Sequence, residues 1–123
     1  MAELRKYPRL VESLPIKLSG SEFDIMTETK NISGNGAYCF INKPLDVMSK
    51  LNIIMLISLK KAKNNVVKKI NCSGVVVRKD CVKDNGKYPY CIGIYFNNIK
   101  EEDREILLSY LNSLSKSKTI NAQ

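Results

Sequence analysis

Histidine and tryptophan are both absent from this chain of 123 residues. Without histidine the chain lacks the commonest general base and a usual zinc ligand. No GxSxG motif, Walker loop or glycine-rich nucleotide-fold fingerprint is present either. The sequence therefore predicts a protein that is not an enzyme and that holds no metal and no resident cofactor.

Long apolar runs are also missing, although 44% of the residues are hydrophobic. No stretch reaches the eighteen or so residues that span a bilayer, and the N-terminus is charged rather than shaped like a signal peptide. We therefore expect one globular domain with no membrane span and a cytoplasmic location. In that setting cysteines without a CxxC pair are expected to be reduced and mostly buried rather than paired or metal-bound; they are Cys39, Cys72, Cys81 and Cys91.

Period-two alternation of apolar residues predicts six strands: LVESLPIKLS, SEFDIMTETK, AYCFI, LNIIMLISL, VVKKINCSGVVVRKDCV and YPYCIGIYF. The first two are predicted to pair as a hairpin. The almost continuous apolar run of the fourth predicts a strand that is covered on both faces or very central. Polar turns are predicted at Lys60–Asn65 and Asp84–Gly86, and Gly74 predicts a bulge within the fifth strand.

The period changes near residue 99, where apolar residues recur at helical spacing. The sequence predicts a helix over about residues 99–116, capped by Asn98 and Glu101. Six antiparallel strands and one C-terminal helix favour an all-β fold, a small β-barrel with a helix packed against it. We expect an N-terminal arm over residues 1–10, the barrel and helix over 11–117, and a frayed tail over 118–123.

Two short stretches suggest a binding site. Only four of the twenty basic residues are arginine, yet Arg5 and Arg9 stand four positions apart in RKYPR. The turn NISGNG follows the second predicted strand and is richer in glycine and polar side chains than a hairpin needs. Taken alone, the turn could be an ordinary one with Asn35 or Gly36 in the left-handed region, and RKYPR a solvated basic arm.

Together, RxxxR (Arg5, Arg9) and [D/N]xSxxG (Asn31, Ser33, Gly36) resemble the two-part motif of the PilZ domain, a bacterial receptor module for cyclic di-GMP. The resemblance extends over nearly the whole chain, through GVVVR, GIYF and the closing helix, and implies a six-stranded split barrel capped by that helix. Asn31 stands where aspartate is commoner, and Asn35 where glycine is frequent. By position, the family's ligand-binding roles fall on Arg5, Arg9, Asn31, Ser33 and Gly36, with possible secondary contributions from Lys6, Gly34, Asn35 and Arg78.

The chemistry of these residues suits such a ligand. Cyclic di-GMP offers two phosphates and two guanine edges, and the arginine fork binds either bidentately. Pro8 favours an extended segment, in which Arg5 and Arg9 share a side and stand about 13 Å apart. The implied mechanism is ordering of the arm over the dinucleotide, which would signal to a protein partner that the sequence does not identify.

Two other functions remain open at this stage. A net charge of +8, lysine clusters and strand-borne aromatics also fit a small basic barrel that binds single-stranded nucleic acid. A structural module that docks on an acidic partner is the third possibility. Salt separates the first two, because a site with many phosphate contacts loses affinity steeply as salt rises.

Overall fold

The computed structural model describes residues 9–61, 64–81 and 89–121. Within these residues the chain forms six strands and then one helix, as predicted. The elements are β1 (Pro15–Ser19), β2 (Asp24–Ser33), β3 (Gly36–Ile41), β4 (Lys50–Lys61), β5 (Asn64–Cys81), β6 (Tyr90–Ile99) and α1 (Glu101–Asn121).

The six strands close into a barrel in the order β1-β2-β3-β6-β5-β4. All neighbouring pairs are antiparallel, and β1 closes the barrel by pairing with both β2 and β4. Closure pairs the edges that an open sheet would leave exposed. The predicted six-stranded antiparallel barrel is confirmed, together with the hairpin predicted for the first two strands.

The strand β4 shows how the core forms. Its residues Leu51, Ile53 and Met55 are buried inside the barrel, whereas Leu56 on the opposite face is 49% exposed. The prediction that this strand is covered on both faces was wrong. A closed sheet gives each strand one interior and one exterior face, and the apolar residues of the exterior face remain partly in solvent.

Gly74 marks a register shift of β5 against β6, which confirms the predicted bulge. A Cβ atom at this position would lie 2.6 Å from Ile53 Cδ1 and 2.8 Å from Ile94 Cγ2. The glycine therefore lets two core side chains approach the β5 backbone closely. A second shift lies between Val76 and Arg78, and residues 77–80 of β5 are exposed.

The connection between β4 and β5 is shorter than predicted. Lys60 pairs with Asn65 and Lys61 with Asn64, so four of the six residues assigned to a polar turn belong to the strands. A run of polar residues at the end of a hairpin resembles a turn in sequence, which explains the error. The second predicted turn, Asp84–Gly86, lies outside the described residues.

The helix α1 packs against β4 and β5 through the buried side chains of Leu107 and Leu111. It begins at Glu101 rather than at Ile99, because Ile99 still pairs with Cys72 as the last residue of β6. The Arg104 N–H donates to the Lys100 carbonyl, so Asn98 is not the capping residue. α1 also ends later than predicted, at residue 121 rather than about 116. No helix in the described part of the chain combines the length and hydrophobicity needed to cross a membrane.

Candidate functional site

The turn between β2 and β3 is held by its own side chains. Ser33 pairs with Gly36, so that residues 34 and 35 form the connection, and Gly34 is buried. The Ser33 hydroxyl is buried and donates to Asn35 Oδ1 at 2.8 Å, while the Asn35 N–H approaches Ser33 Oγ at 3.3 Å. The Asn35 carbonyl in turn accepts a hydrogen bond of 2.9 Å from the Phe96 N–H of β6. The Ser33 hydroxyl therefore shapes the turn, and the Asn35 carbonyl fastens the turn to β6.

Gly36 meets the backbone of β6 at close range. A Cβ atom on Gly36 would lie 2.4 Å from the Ile94 carbonyl oxygen. Neither Asn35 nor Gly36 has a positive φ; among the described residues that conformation occurs at Met48, with φ 78°. The left-handed expectation for Asn35 or Gly36 was therefore wrong. Gly36 is favoured here because β6 leaves no space for a side chain, and not because the backbone has an unusual φ angle.

Asn31 carries the least satisfied polar atom of the site. It lies in β2 at a register shift against β3, opposite Tyr38. Its Oδ1 atom is buried and has no hydrogen-bond partner within the described residues. A buried acceptor without a donor costs about 1–3 kcal/mol, so such groups are rare in folded proteins. Asn31 therefore offers an acceptor to a ligand that brings an N–H group.

A row of residues crosses the outer face of the barrel next to Asn31. Cα pairing runs from Asn31 to Tyr38, from Tyr38 to Gly93 and from Gly93 to Arg78, across four strands. The guanidinium carbon of Arg78 lies 5.7 Å from the centroid of the Tyr38 ring. Arg78 Nε also pairs with Asp80 Oδ2 at 3.1 Å. The barrel thus brings Arg78, named from the sequence as a secondary candidate, onto the same face as Asn31.

Arg9 lies on this face as well. Its guanidinium carbon is 5.2 Å from the centroid of the Tyr38 ring. The next residue, Leu10, exchanges two backbone hydrogen bonds of 2.9 Å with Ile32, which fixes the chain beside β2. The arm is therefore already attached to the barrel at Arg9 and Leu10. Arg5 and Lys6 lie outside the described residues.

Sequence reasoning did not find Tyr38 or Gly93. Tyr38 follows Gly36 by two positions, so period-two alternation places both on one face of β3. The alternation within β3 does not show that Gly93 and Arg78 lie beside Tyr38, because the pairing of β6 with β3 and β5 depends on how the barrel closes. The aromatic residue at the centre of the row was therefore missed.

The cysteines do not belong to this site. Cys39 and Cys91 are buried and Cys72 is half-buried, all three as free thiols. Burial raises the pKa of Cys39 and of Cys72 to about 12. The described residues contain no group of metal-ligating side chains. Cys39 thus belongs to the core cluster and Cys72 packs against it, whereas the surroundings of Cys81 lie outside the described part of the structure.

Comparison with known proteins identifies a family. The model of the PilZ domain matches residues 3–113, about nine tenths of the chain. No curated protein sequence matches the chain.

Two solved structures share the fold. One is the Bacillus subtilis inhibitor of motility, MotI/DgrA, at 20% identity and a TM-score of 0.79; the match covers 95% of this chain and 54% of the other, so the chain spans about half of that protein. The second is the PilZ domain of YcgR from Escherichia coli with c-di-GMP, at 12% identity and a TM-score of 0.65, covering 98% of both chains. At these identities the likeness concerns the barrel and its closing helix.

Proposed function

Because the chain belongs to the PilZ domain family, we propose that it is a receptor for cyclic di-GMP rather than an enzyme. The ligand would bind on the outer face of the barrel where β2, β3 and the N-terminal segment meet. Arg5, Arg9, Asn31, Ser33 and Gly36 are the residues on which the proposal depends. A second messenger is sensed inside the cell, so the proposal includes a cytoplasmic location.

The observation that best supports this function is the buried Asn31 Oδ1, which has no hydrogen-bond partner among the described residues and belongs to the residue paired with Tyr38, whose ring centroid lies 5.2 Å from the guanidinium carbon of Arg9. A guanine base brings N–H donors that can satisfy the amide oxygen, and its O6 and N7 atoms accept hydrogen bonds from arginine. The phosphates of the same ligand accept the charged hydrogen bonds of a guanidinium fork. One guanine nucleotide therefore complements both features.

Within this proposal the residues of the turn have two roles. Ser33, acting through Asn35, and Gly36 hold the turn against β6, whereas Asn31 contacts the ligand. Gly34 and Asn35 contribute backbone and side-chain groups at the edge of the site. Their position is maintained by hydrogen bonds that exist before a ligand arrives.

Signalling would follow from the N-terminal segment. Arg9 is held by the Leu10 pairing, so the dinucleotide meets one arginine in place and gains Arg5, with Lys6 beside it, when it binds. Residues 1–8 would then be fixed over the ligand and would change the surface offered to a protein partner. Such a partner would be a protein that distinguishes the liganded form from the free form.

A calorimetric titration tests the proposal. The purified protein is titrated with cyclic di-GMP and, as controls, with GTP and with a short single-stranded oligonucleotide. We expect saturable binding of cyclic di-GMP alone, and at least about a tenfold weaker Kd after Asn31→Ala. The matched control is Asn71→Ala, which removes an exposed amide from β5.

Salt dependence provides a second criterion. A ligand with two phosphates should lose little affinity between 50 and about 200 mM salt, whereas a strand that makes many phosphate contacts loses several hundredfold or more. Absence of cyclic di-GMP binding at high micromolar ligand would overturn the proposal. Steeply salt-dependent binding of the oligonucleotide would replace it with a nucleic-acid function.

A further inference from the structure

We infer that Tyr38 is a positioning residue for the ligand site: its ring lies on Gly93 and holds the guanidinium groups of Arg9 and Arg78 on the binding face. The inference rests on the proposed function and adds to it a residue outside the RxxxR and [D/N]xSxxG motifs. It also assigns Arg78 as the second of two cations that the ligand meets already in place.

The distances support a shared aromatic platform. The guanidinium carbons of Arg9 and Arg78 lie 5.2 Å and 5.7 Å from the centroid of the same ring. Both distances fall within the range of about 6 Å in which a cation is attracted by an aromatic ring. One side chain therefore interacts with a cation from the N-terminal segment and with a cation from β5.

Gly93 provides the seat for this ring. A Cβ atom on Gly93 would lie 2.5 Å from Tyr38 Cε1 and 3.1 Å from Tyr38 Cδ1. It would also lie 3.3 Å from the Cβ atom of Arg78. The missing side chain lets the ring cross the β6 backbone toward β5, where it reaches Arg78.

Apart from the Tyr38 ring, little of the barrel encloses the two arginines. Arg9 is exposed, and the Arg78 side chain is 66% exposed. The ion pair of Arg78 with Asp80 lies in solvent, where such pairs hold a side chain poorly. Without the ring, little would offset the repulsion between the two guanidinium groups on this face. A ligand would then have to order both side chains on binding.

The test compares the Kd of cyclic di-GMP for Tyr38→Leu, Tyr38→Phe and wild type. We expect Tyr38→Leu to bind about tenfold more weakly, and Tyr38→Phe to stay within about twofold of wild type because it keeps the ring. The control is Phe40→Leu: Phe40 lies two residues along β3 and has Lys30 Nζ 5.5 Å from its ring centroid. Its loss should leave the Kd unchanged.

A double-mutant cycle separates positioning from stability. Arg9→Ala should reduce the affinity of wild type more than that of Tyr38→Leu, since the leucine variant has already lost the placement of Arg9. A purely structural role would lower the melting temperature and leave the effect of Arg9→Ala unchanged. Should Tyr38→Leu fail to fold, Gly93→Ala displaces the ring without removing it and is expected to weaken binding in the same way.

The outcomes distinguish the positioning role of Tyr38 from the receptor function. If wild type binds and both Tyr38→Leu and Gly93→Ala bind equally well, the positioning role of Tyr38 is wrong and the receptor function stands. Equal effects of Arg9→Ala in both backgrounds would overturn the positioning role as well. A wild-type protein that does not bind cyclic di-GMP overturns the function and the inference together.

Discussion

Two asparagines of the motif, Asn31 in β2 and Asn35 in the β2–β3 turn, differ in the hydrogen bonding of their side chains. Asn35 is bonded to the buried Ser33 hydroxyl and, through its carbonyl, to β6. Asn31 has a buried side-chain oxygen that no described group satisfies. Ser33 and Asn35 thus stabilise the free protein, whereas under the proposed function the Asn31 oxygen gains a hydrogen-bond donor when a ligand binds. Stability and affinity should therefore respond to different residues.

Removing these side chains one at a time tests that division. We expect Ser33→Ala to lower the free energy of unfolding by about 1 kcal/mol, because Asn35 Oδ1 loses its donor. Asn31→Ala should leave that free energy unchanged or raise it, since an unpaired buried acceptor disappears, while the affinity for cyclic di-GMP falls. Urea unfolding and calorimetry of both variants measure the two quantities. Equal losses of stability would contradict the division.

Gly36 and Gly93 differ in the groups that an added Cβ atom would meet. A Cβ on Gly36 meets the backbone oxygen of Ile94, which cannot move without separating β3 from β6. A Cβ on Gly93 meets mainly the outer part of a tyrosine ring. Gly36→Ala should therefore destabilise the protein by about 1–3 kcal/mol, and Gly93→Ala by less. Denaturant midpoints of the two variants decide the order.

Arginine geometry can be separated from charge at Arg9. If its guanidinium group binds phosphate or guanine with two hydrogen bonds, Arg9→Lys should reduce the affinity by about 1–3 kcal/mol. The melting temperature of the free protein should stay nearly constant, because Arg9 is exposed. Arg5→Lys is expected to behave in the same way, and Lys6→Ala to have little effect. A ligand-induced rise in melting temperature that survives both arginine substitutions would refute this role.

At the scale of elements, the sequence predicted the number, order and type of elements but not their ends. Alternation shows which residues can face a core, and it does so reliably for β1 and β3. Alternation cannot show that a hairpin continues through polar residues, as it does at Lys60 and Lys61. It also cannot show that β6 extends to Ile99 before the helix begins. The end of β6 depends on pairing with Cys72, which is distant in sequence, and the row that joins Asn31 to Arg78 likewise depends on pairing between distant strands.

The attachment of α1 can be tested with adjacent leucines. Leu107 is fully buried against the core, whereas Leu108 is half-buried. Leu107→Ala should lower the free energy of unfolding by about 2–5 kcal/mol, because it leaves a cavity under the helix. Leu108→Ala should cost markedly less. Chemical denaturation measures both, and equal losses would mean that the helix is not fixed by this residue.

At the scale of the whole molecule, two electrostatic features matter: the positive net charge and the ionisable thiols of the core. The chain carries a net charge of +8, so an anionic ligand is attracted to it in general. In the proposed receptor, specificity would come from the geometry of Arg9, Asn31 and Arg78 rather than from the total charge. The buried thiols act in another way, because they link the folding equilibrium of the entire barrel to pH.

Alkaline pH should therefore destabilise the protein through Cys39. Burial raises its pKa from 9.0 to about 12, so above pH 9 the unfolded chain loses the thiol proton while the folded chain keeps it. The unfolded state then binds fewer protons, and the free energy of unfolding falls as pH rises from about 9 to 12. At pH 10.5 the loss from this thiol is about 2 kcal/mol relative to pH 8. Urea unfolding at the two pH values should show a smaller loss for Cys39→Ala than for wild type, because lysines and tyrosines titrate alike in both proteins. Identical losses would mean that the thiol ionises as readily in the folded barrel as in the unfolded chain.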